Sequence, residues 1–184
     1  MSINLSDLEQ FRKHPAASGS DYPSAVVRLF APDDDIHAAM VYVVERTQVS
    51  LGAAMYGWDD NEVQALFEKV WLDERLPTVL ALDSSQAGGV HERVLLAALE
   101  AKLPPGTLGN DLVVGRSSKH AISHLKLIRS DDVTVGGSTN LSDSGEAKQN
   151  NEAIFIKSAS YALETQAKID LTRSEMAAQM AAKK

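Results

Sequence analysis

A mixed β-sheet flanked by helices on both faces is the α/β fold class this sequence predicts, and three observations predict it. Compact apolar segments alternate with amphipathic ones between residues 25 and 102, the rhythm of strand, helix, strand, helix. The strand segments are apolar at consecutive positions, as in a sheet covered on both faces. At 184 residues, with 44% apolar and 23% charged residues, the chain has the size and composition of one compact domain.

Each element has a local cause. Ser6 followed by Glu9 makes a capping box, and Leu5, Leu8 and Phe11 recur at helical spacing, which predicts a short helix over 6–13. HPAASGSDYP reads as a linker, so residues 1–24 form an N-terminal helix and linker. AVVRLF (25–30) is a strand stopped by Pro32 and the aspartates 33–35. Those carboxylates could be metal ligands, but acidic residues just after a proline better suit the first turn of a helix and its dipole. The helix over 34–46 carries Ile36, Met40, Val43 and Val44 on one stripe. QVSLGAAMY (48–56) is a buried strand, Asp59 or Asp60 caps a helix through EVQALFEKVWL, and Pro77 ends that connection. TVLALD (78–83) is a strand, and 90–102 is helical after a serine-glycine loop. Trp58 and Trp71 could stack on bases, yet both adjoin a helix with apolar neighbours, so packing is expected.

The pattern changes after PPGTLGN. DLVVG (111–115), SHLKLIR (123–129) and VTVGGS (133–138) are short β-type runs, and EAIFIK (152–157) follows a polar loop. Residues 159–184 form an Ala-rich helix with Leu163, Ala167 and Leu171 on one stripe, packed on the domain or at a partner interface. There is no internal repeat and no low-complexity segment.

Charge and composition narrow the function classes. The net charge of -7 disfavours broad attraction to nucleic acid. It is unevenly spread: residues 1–110 hold 8 Lys/Arg against 16 Asp/Glu, and residues 111–184 hold 10 against 9. Arg116, Lys119, Lys126 and Arg129 concentrate the basic character in one stretch. The absence of cysteine excludes disulfides and thiolate chemistry. Membrane contact is not expected, because no apolar run approaches the roughly 18 residues that span a bilayer and the last helix carries its lysines mainly at its end. MSINLSDLEQFRKH lacks a signal-like basic and apolar start, so the expected location is cytoplasmic, or periplasmic or secreted if a leader has been removed.

The stretch HLKLIRSDDVTVGGSTN (124–140) concentrates the chemistry. Alternation in a strand puts His124 and Lys126 on one face and Leu125 and Leu127 on the other, toward the core. Asp131-Asp132 forms a two-residue turn, and Gly136-Gly137 frees the backbone so that Ser138 and Asn140 approach a bound group. This set suits a phosphoryl centre: imidazole as nucleophile or acid, lysine as a point charge on anionic oxygens, amide and hydroxyl donors for the rest. The competing reading is a surface hairpin with incidental polar residues. His120 and His124, four apart in HAISH, would suit zinc on a helix, but this segment reads as strand and no acidic or thiolate set accompanies it. Arg116 and Lys119 are equally consistent with substrate-backbone contacts and with solvated loop positions.

His124-x-Lys126, Asp131 and Gly137-Ser138-x-Asn140 together resemble the HKD signature of the phospholipase D superfamily, with a five-residue spacer, Asp132 to Gly136, where about six are usual. The shortening falls at the hairpin turn and leaves either Asp131 or Asp132 as the motif aspartate. NNEAIFI offers Glu152 where the family places a glutamate after a polar loop, and the βαβ unit ending at Asp83 is similar to the family's leading unit. The resemblance covers about residues 25–158, the expected phospholipase D-like catalytic domain. It implies a metal-independent phosphodiesterase without cofactor, most simply a nuclease acting on DNA or RNA through a phosphohistidine. Family members need two HxK motifs. His14, His37 and His120 have no lysine two residues on, and His91-Glu92-Arg93 is a near miss in a predicted helix. The resemblance therefore implies a homodimer, similar to the small bacterial single-motif nucleases. Carried over, His124 is nucleophile in one subunit and acid in the other, Lys126 and Asn140 bind phosphoryl oxygens, Ser138 assists, Glu152 orients His124, and Asp131 holds the hairpin or a nearby cation. A phospholipid-headgroup hydrolase and a non-catalytic binding module are the alternatives.

Overall fold

The strands Val26–Ala31 (β1), Leu51–Met55 (β2), Thr78–Asp83 (β3), Leu112–Gly115 (β4), Lys126–Ser130 (β5), Val133–Gly137 (β6) and Asn151–Lys157 (β7) form one mixed sheet. Their order is β1-β7-β6-β5-β2-β3-β4. The computed structural model describes residues 2–14, 23–86 and 90–182; residues 15–22 of the expected linker, residues 87–89 of the serine-glycine loop and the last two lysines lie outside the described residues.

β2, β3 and β4 run parallel, and every other pairing is antiparallel. The helices between the parallel strands are α2 (Asn61–Glu68) and α3 (Val90–Lys102), with α1 (Ile36–Glu45) between β1 and β2. Asp35 caps α1 through Ala38 N at 3.0 Å, and Asp60 caps α2 through Glu62 N and Val63 N at 2.8 and 3.0 Å. Both aspartates do what acidic residues do at a helix start, accepting from amides that have no carbonyl partner. Although β4 and β5 follow one another in sequence, they lie on opposite sides of the β2–β3 pair. The N-terminal helix is a 3-10 helix over Leu5–Phe11, and α2 continues as a π-helical turn over Lys69–Asp73.

The sheet is apolar on both faces. Leu80, Leu82, Leu112, Ile128, Val135 and Phe155 pack with residues of α1, α2 and α3, whereas Ala54, Ala81 and Val113 pack against Ile169 and Met176 of the last helix, α5 (Ala159–Ala181). α5 buries Ala162, Thr165, Ile169, Thr172 and Met176. The expected stripe is therefore not the face that packs on the domain: Leu163 and Leu171 are 67% and 52% exposed. The helix lies close over Gly52 and Gly115: a Cβ on Gly115 would lie 2.8 Å from Met176. Trp58 is buried and meets the Phe67 ring edge-on at 4.8 Å, in agreement with the packing role expected for it.

The triple aspartate divides its labour. Asp33 is exposed, Asp35 is the cap, and Asp34 is buried, accepting from Lys13 N at 2.6 Å, His14 N at 3.0 Å and Phe30 N at 2.7 Å, with His14 Nδ1 at 2.5 Å. Burial alone would raise its carboxyl, but the three amide donors and His14 hold it below the usual carboxylate range. A depressed folded value contributes stability above the unfolded value, and that stability is lost as pH falls through the folded one. Asp34→Ala is expected to cost about 2–4 kcal/mol at neutral pH. Urea midpoints followed from pH 7 down past about pH 4 should show a shallower acid limb in the variant than in the wild type.

Candidate active site

One end of the sheet collects the candidate residues. It is the end where β2, β3 and β4 finish and β5 and β7 begin, the carboxyl edge at which open α/β sheets place their ligands. Lys126 opens β5 opposite Met55, Gly136 pairs with Leu127, and Gly137 pairs with Ala153. Ser138, Asn140 and Glu152 follow directly from this register.

His124 precedes β5 rather than lying within it, and it is exposed. Its ring meets the Tyr56 ring edge-on at 4.6 Å, and its nitrogens have no hydrogen-bond partner among the described residues. The approach to it is rigid: buried Asp83 at the end of β3 accepts from Ser123 N at 2.5 Å and from Ser85 N at 2.8 Å. Tyr56 N then donates to Leu125 O at 2.8 Å. The backbone is thus anchored on both sides of His124 and has little freedom to lose on binding.

Lys126 and Leu127 alternate as expected, but the face that carries Lys126 is the more buried one. Lys126 shares that face with Ile128 and Ser130, while Leu125 and Leu127 are half-buried, Leu125 packing on the α5 side. The physical reason is that both faces of this sheet are covered, so neither is a solvent face. Lys126 lines a small cavity with Met40, Met55 and Ile128, and its ammonium stands 4.9 Å from the Tyr56 ring and 3.3 Å from His124 O. Burial pulls the Lys126 ammonium below the usual lysine range.

Asn140 accepts at Oδ1 from Gly57 N at 3.3 Å, and its amide nitrogen is without a partner among the described residues. That bond sets the amide's orientation and leaves its N–H donors for a bound group. Ser138 is tied down instead: its hydroxyl donates to Asn151 Oδ1 at 3.0 Å and accepts from Glu152 N at 2.9 Å, so it braces the loop and has no proton left for a substrate. Gly137 has φ +139°, and a Cβ there would stand 2.2 Å from Glu152 O, which explains the glycine before this serine.

Glu152 does not reach His124 of its own chain. Its carboxylate is engaged by Arg28 of β1, with Nε to Oε1 at 2.7 Å. Asp131 is also remote, at the turn between β5 and β6, a five-residue strand or roughly 16 Å away from Lys126. Its carboxylate accepts from Gln48 N, Val49 N and Ser50 N at 2.9, 2.8 and 3.1 Å, and its own backbone has φ +53°. Asp132 only approaches Lys157, at 3.8 Å. Asp131, rather than Asp132, is thus the aspartate that ties the hairpin to the loop before β2. Asp131→Ala is expected to lower unfolding free energy by about 2–3 kcal/mol, from lost charged hydrogen bonds and a left-handed backbone without its side-chain support. Turnover by the folded variant should stay within about threefold of wild type; a loss comparable to that of a catalytic group would contradict the assignment.

A second cluster lies at the same edge. His37 at the start of α1 contacts Asp60 Oδ2 and Glu146 Oε2 through Nδ1, both at 2.9 Å, and Glu62 Oε2 through Nε2 at 3.0 Å. Glu146 belongs to the short helix α4 (Asp143–Ala147), unanticipated within the polar loop after Asn140. Burial would pull the His37 imidazole down, but Glu62, Glu146 and Asp60 hold it up at about 9; burial and then Asp60 push the Glu146 carboxyl up to about 8. Sequence spacing could not reveal this, since His37 lies 23 residues from Asp60 and 109 from Glu146. Arg116 and Lys119, on the loop leading to His124, are exposed.

No family model and no curated protein matches the chain. Its fold is similar to Nuc, a phospholipase D family member from Salmonella typhimurium, with a TM-score of 0.67 and 16% identity over 82% of this chain and 94% of that one. NucT from Helicobacter pylori gives a TM-score of 0.67 and 14% identity over the same 82% and 94%. A phosphatidylserine synthase from Haemophilus influenzae Rd KW20 gives 0.58 and 15% identity over 91% of this chain and 43% of that one.

Proposed function

We propose that this chain, which has the phospholipase D fold, is a metal-independent phosphodiesterase of the nuclease kind, acting through a phosphohistidine at a site that two copies complete together. The observation that carries the proposal is the state of His124: an exposed imidazole on an anchored backbone, without a hydrogen-bond partner among the described residues, beside a buried lysine and an unpaired amide donor. The near full-length likeness to Nuc supports the reading.

In the proposed reaction His124 attacks phosphorus, forming an N–P bond as the P–O bond to the leaving group breaks. The partner's His124 donates a proton to that leaving oxygen. Water then attacks the phosphohistidine, the partner's imidazole takes its proton, and His124 leaves. Lys126 and the Asn140 amide stabilise the phosphoryl oxygens; an ammonium whose stem is desolvated acts more strongly on them than one in bulk water. Each imidazole needs an acceptor to hold its ring, and Glu152 of the partner subunit is the carboxylate assigned to it. Arg28 keeps that carboxylate at the site edge. Ser138 acts by bracing Glu152 N.

The test is hydrolysis of an activated phosphodiester, in excess chelator and well below the unfolding temperature, by the wild type and by His124→Asn. Activity in the first and its loss in the second supports the proposal; activity surviving the substitution, or vanishing with chelation, sinks it. Parallel assays on DNA, RNA and liposomes separate a nuclease from a headgroup hydrolase.

A further inference from the structure

The geometry points to a second site: we propose that His37, Asp60 and Glu146 bind one divalent cation of the zinc class, which clasps the loop carrying Asn140 to α1 and α2. Their ligand atoms lie within 4.8 Å of one another. Nδ1 of His37 stands 2.9 Å from both Asp60 Oδ2 and Glu146 Oε2, close to the roughly 3 Å separating adjacent ligand atoms at metal bonds of about 2.1 Å. One imidazole with two carboxylates is a donor set that suits zinc or manganese.

The second, independent observation is Glu146 Oε1. The residue is 2% exposed, yet this oxygen has no hydrogen-bond partner. A buried carboxylate oxygen left without a donor is costly, and a cation among these groups would occupy it. Asp60 and Glu146 are both buried against Nδ1 of the ring, with exposed Glu62 on Nε2, so the oxygen donors a dication needs are already gathered around the imidazole. A cleft of about 370 Å³ lined by Asp35, His37, Asp143, Glu146 and Lys148 gives an ion and its waters a path in.

The place of the site explains what it would do. Asp59 N and Asp60 N both donate to Leu141 O, and a Cβ on Gly145 would lie 2.8 Å from Asn140 O, so α4 packs directly on the backbone of Asn140. Joining Glu146 to His37 and Asp60 fixes that loop from behind without entering the phosphoryl site.

Isothermal titration of the metal-stripped full chain with zinc chloride tests the assignment. One ion per chain is expected, with a melting temperature raised by about 5–10 °C at roughly a hundredfold excess over Kd. Glu146→Gln and His37→Gln should each weaken binding by at least about a hundredfold, whereas His124→Asn should bind as the wild type does. Zinc-edge absorption of the loaded wild type needs no variant and should report one imidazole with oxygen ligands. No uptake, two or more imidazoles on the ion, or uptake lost in His124→Asn would overturn the site. These readouts do not involve turnover, so their failure is distinct from failure of the phosphohistidine mechanism.

Discussion

His124→Asn should abolish phosphodiester hydrolysis, lowering kcat/KM on the order of 10⁴-fold or more. In the proposed mechanism the size follows from the double duty of this residue, because the substitution would remove the nucleophile from one half of the site and the acid from the other. Fold stability should hardly change, since the ring is exposed and its nitrogens bond to nothing among the described residues. Equal melting temperatures with vanished turnover are therefore the expected pair of results. A parallel acid quench should show a phosphoryl group on the wild-type chain and none on the variant.

Mixing subunits produces the second large effect. Wild type and His124→Asn chains, unfolded together and refolded at equal concentration, should give a statistical set of which only the one quarter with two intact histidines is active. A linear dependence, with half the activity, would mean that each chain works alone and would end the shared-site reading. Light scattering gives the independent check, a mass near twice the 19.9 kDa chain. Specific activity should also fall on dilution through the dimer dissociation constant.

The fold was legible in the sequence where strands were apolar and separated by capped helices. β1, β3 and α3 lie within a residue or two of their expected bounds, because a strand ended by Pro32 and a helix entered after a turn leave little choice. The hairpin turn at Asp131-Asp132 and the gathering of Lys126, Ser138 and Asn140 at one end were legible for the same reason: pairing Ser130 with Val133 fixes every later register position. Direction was harder. Lys126 faces the α1 side and Leu163 faces solvent because α5 covers the other sheet face with Ala162, Thr165, Ile169, Thr172 and Met176, a set whose close fit over Gly52 and Gly115 only the folded chain shows. Glu152 was identifiable by position but not by partner, since Arg28 lies 124 residues away. His37, dismissed for want of a following lysine, joins carboxylates that only the folded chain brings near.

The distance between Asp131 and His124 has a consequence for how such a signature is inherited. What reads along the chain as one motif is two separable modules, a foldable turn and a reactive tip, joined by a strand. Changes at the two should combine additively, the turn altering only melting behaviour and the tip only turnover. A descendant can therefore discard the reaction while keeping the scaffold intact, and the tip residues, not the aspartate, would tell an active copy from a silent one.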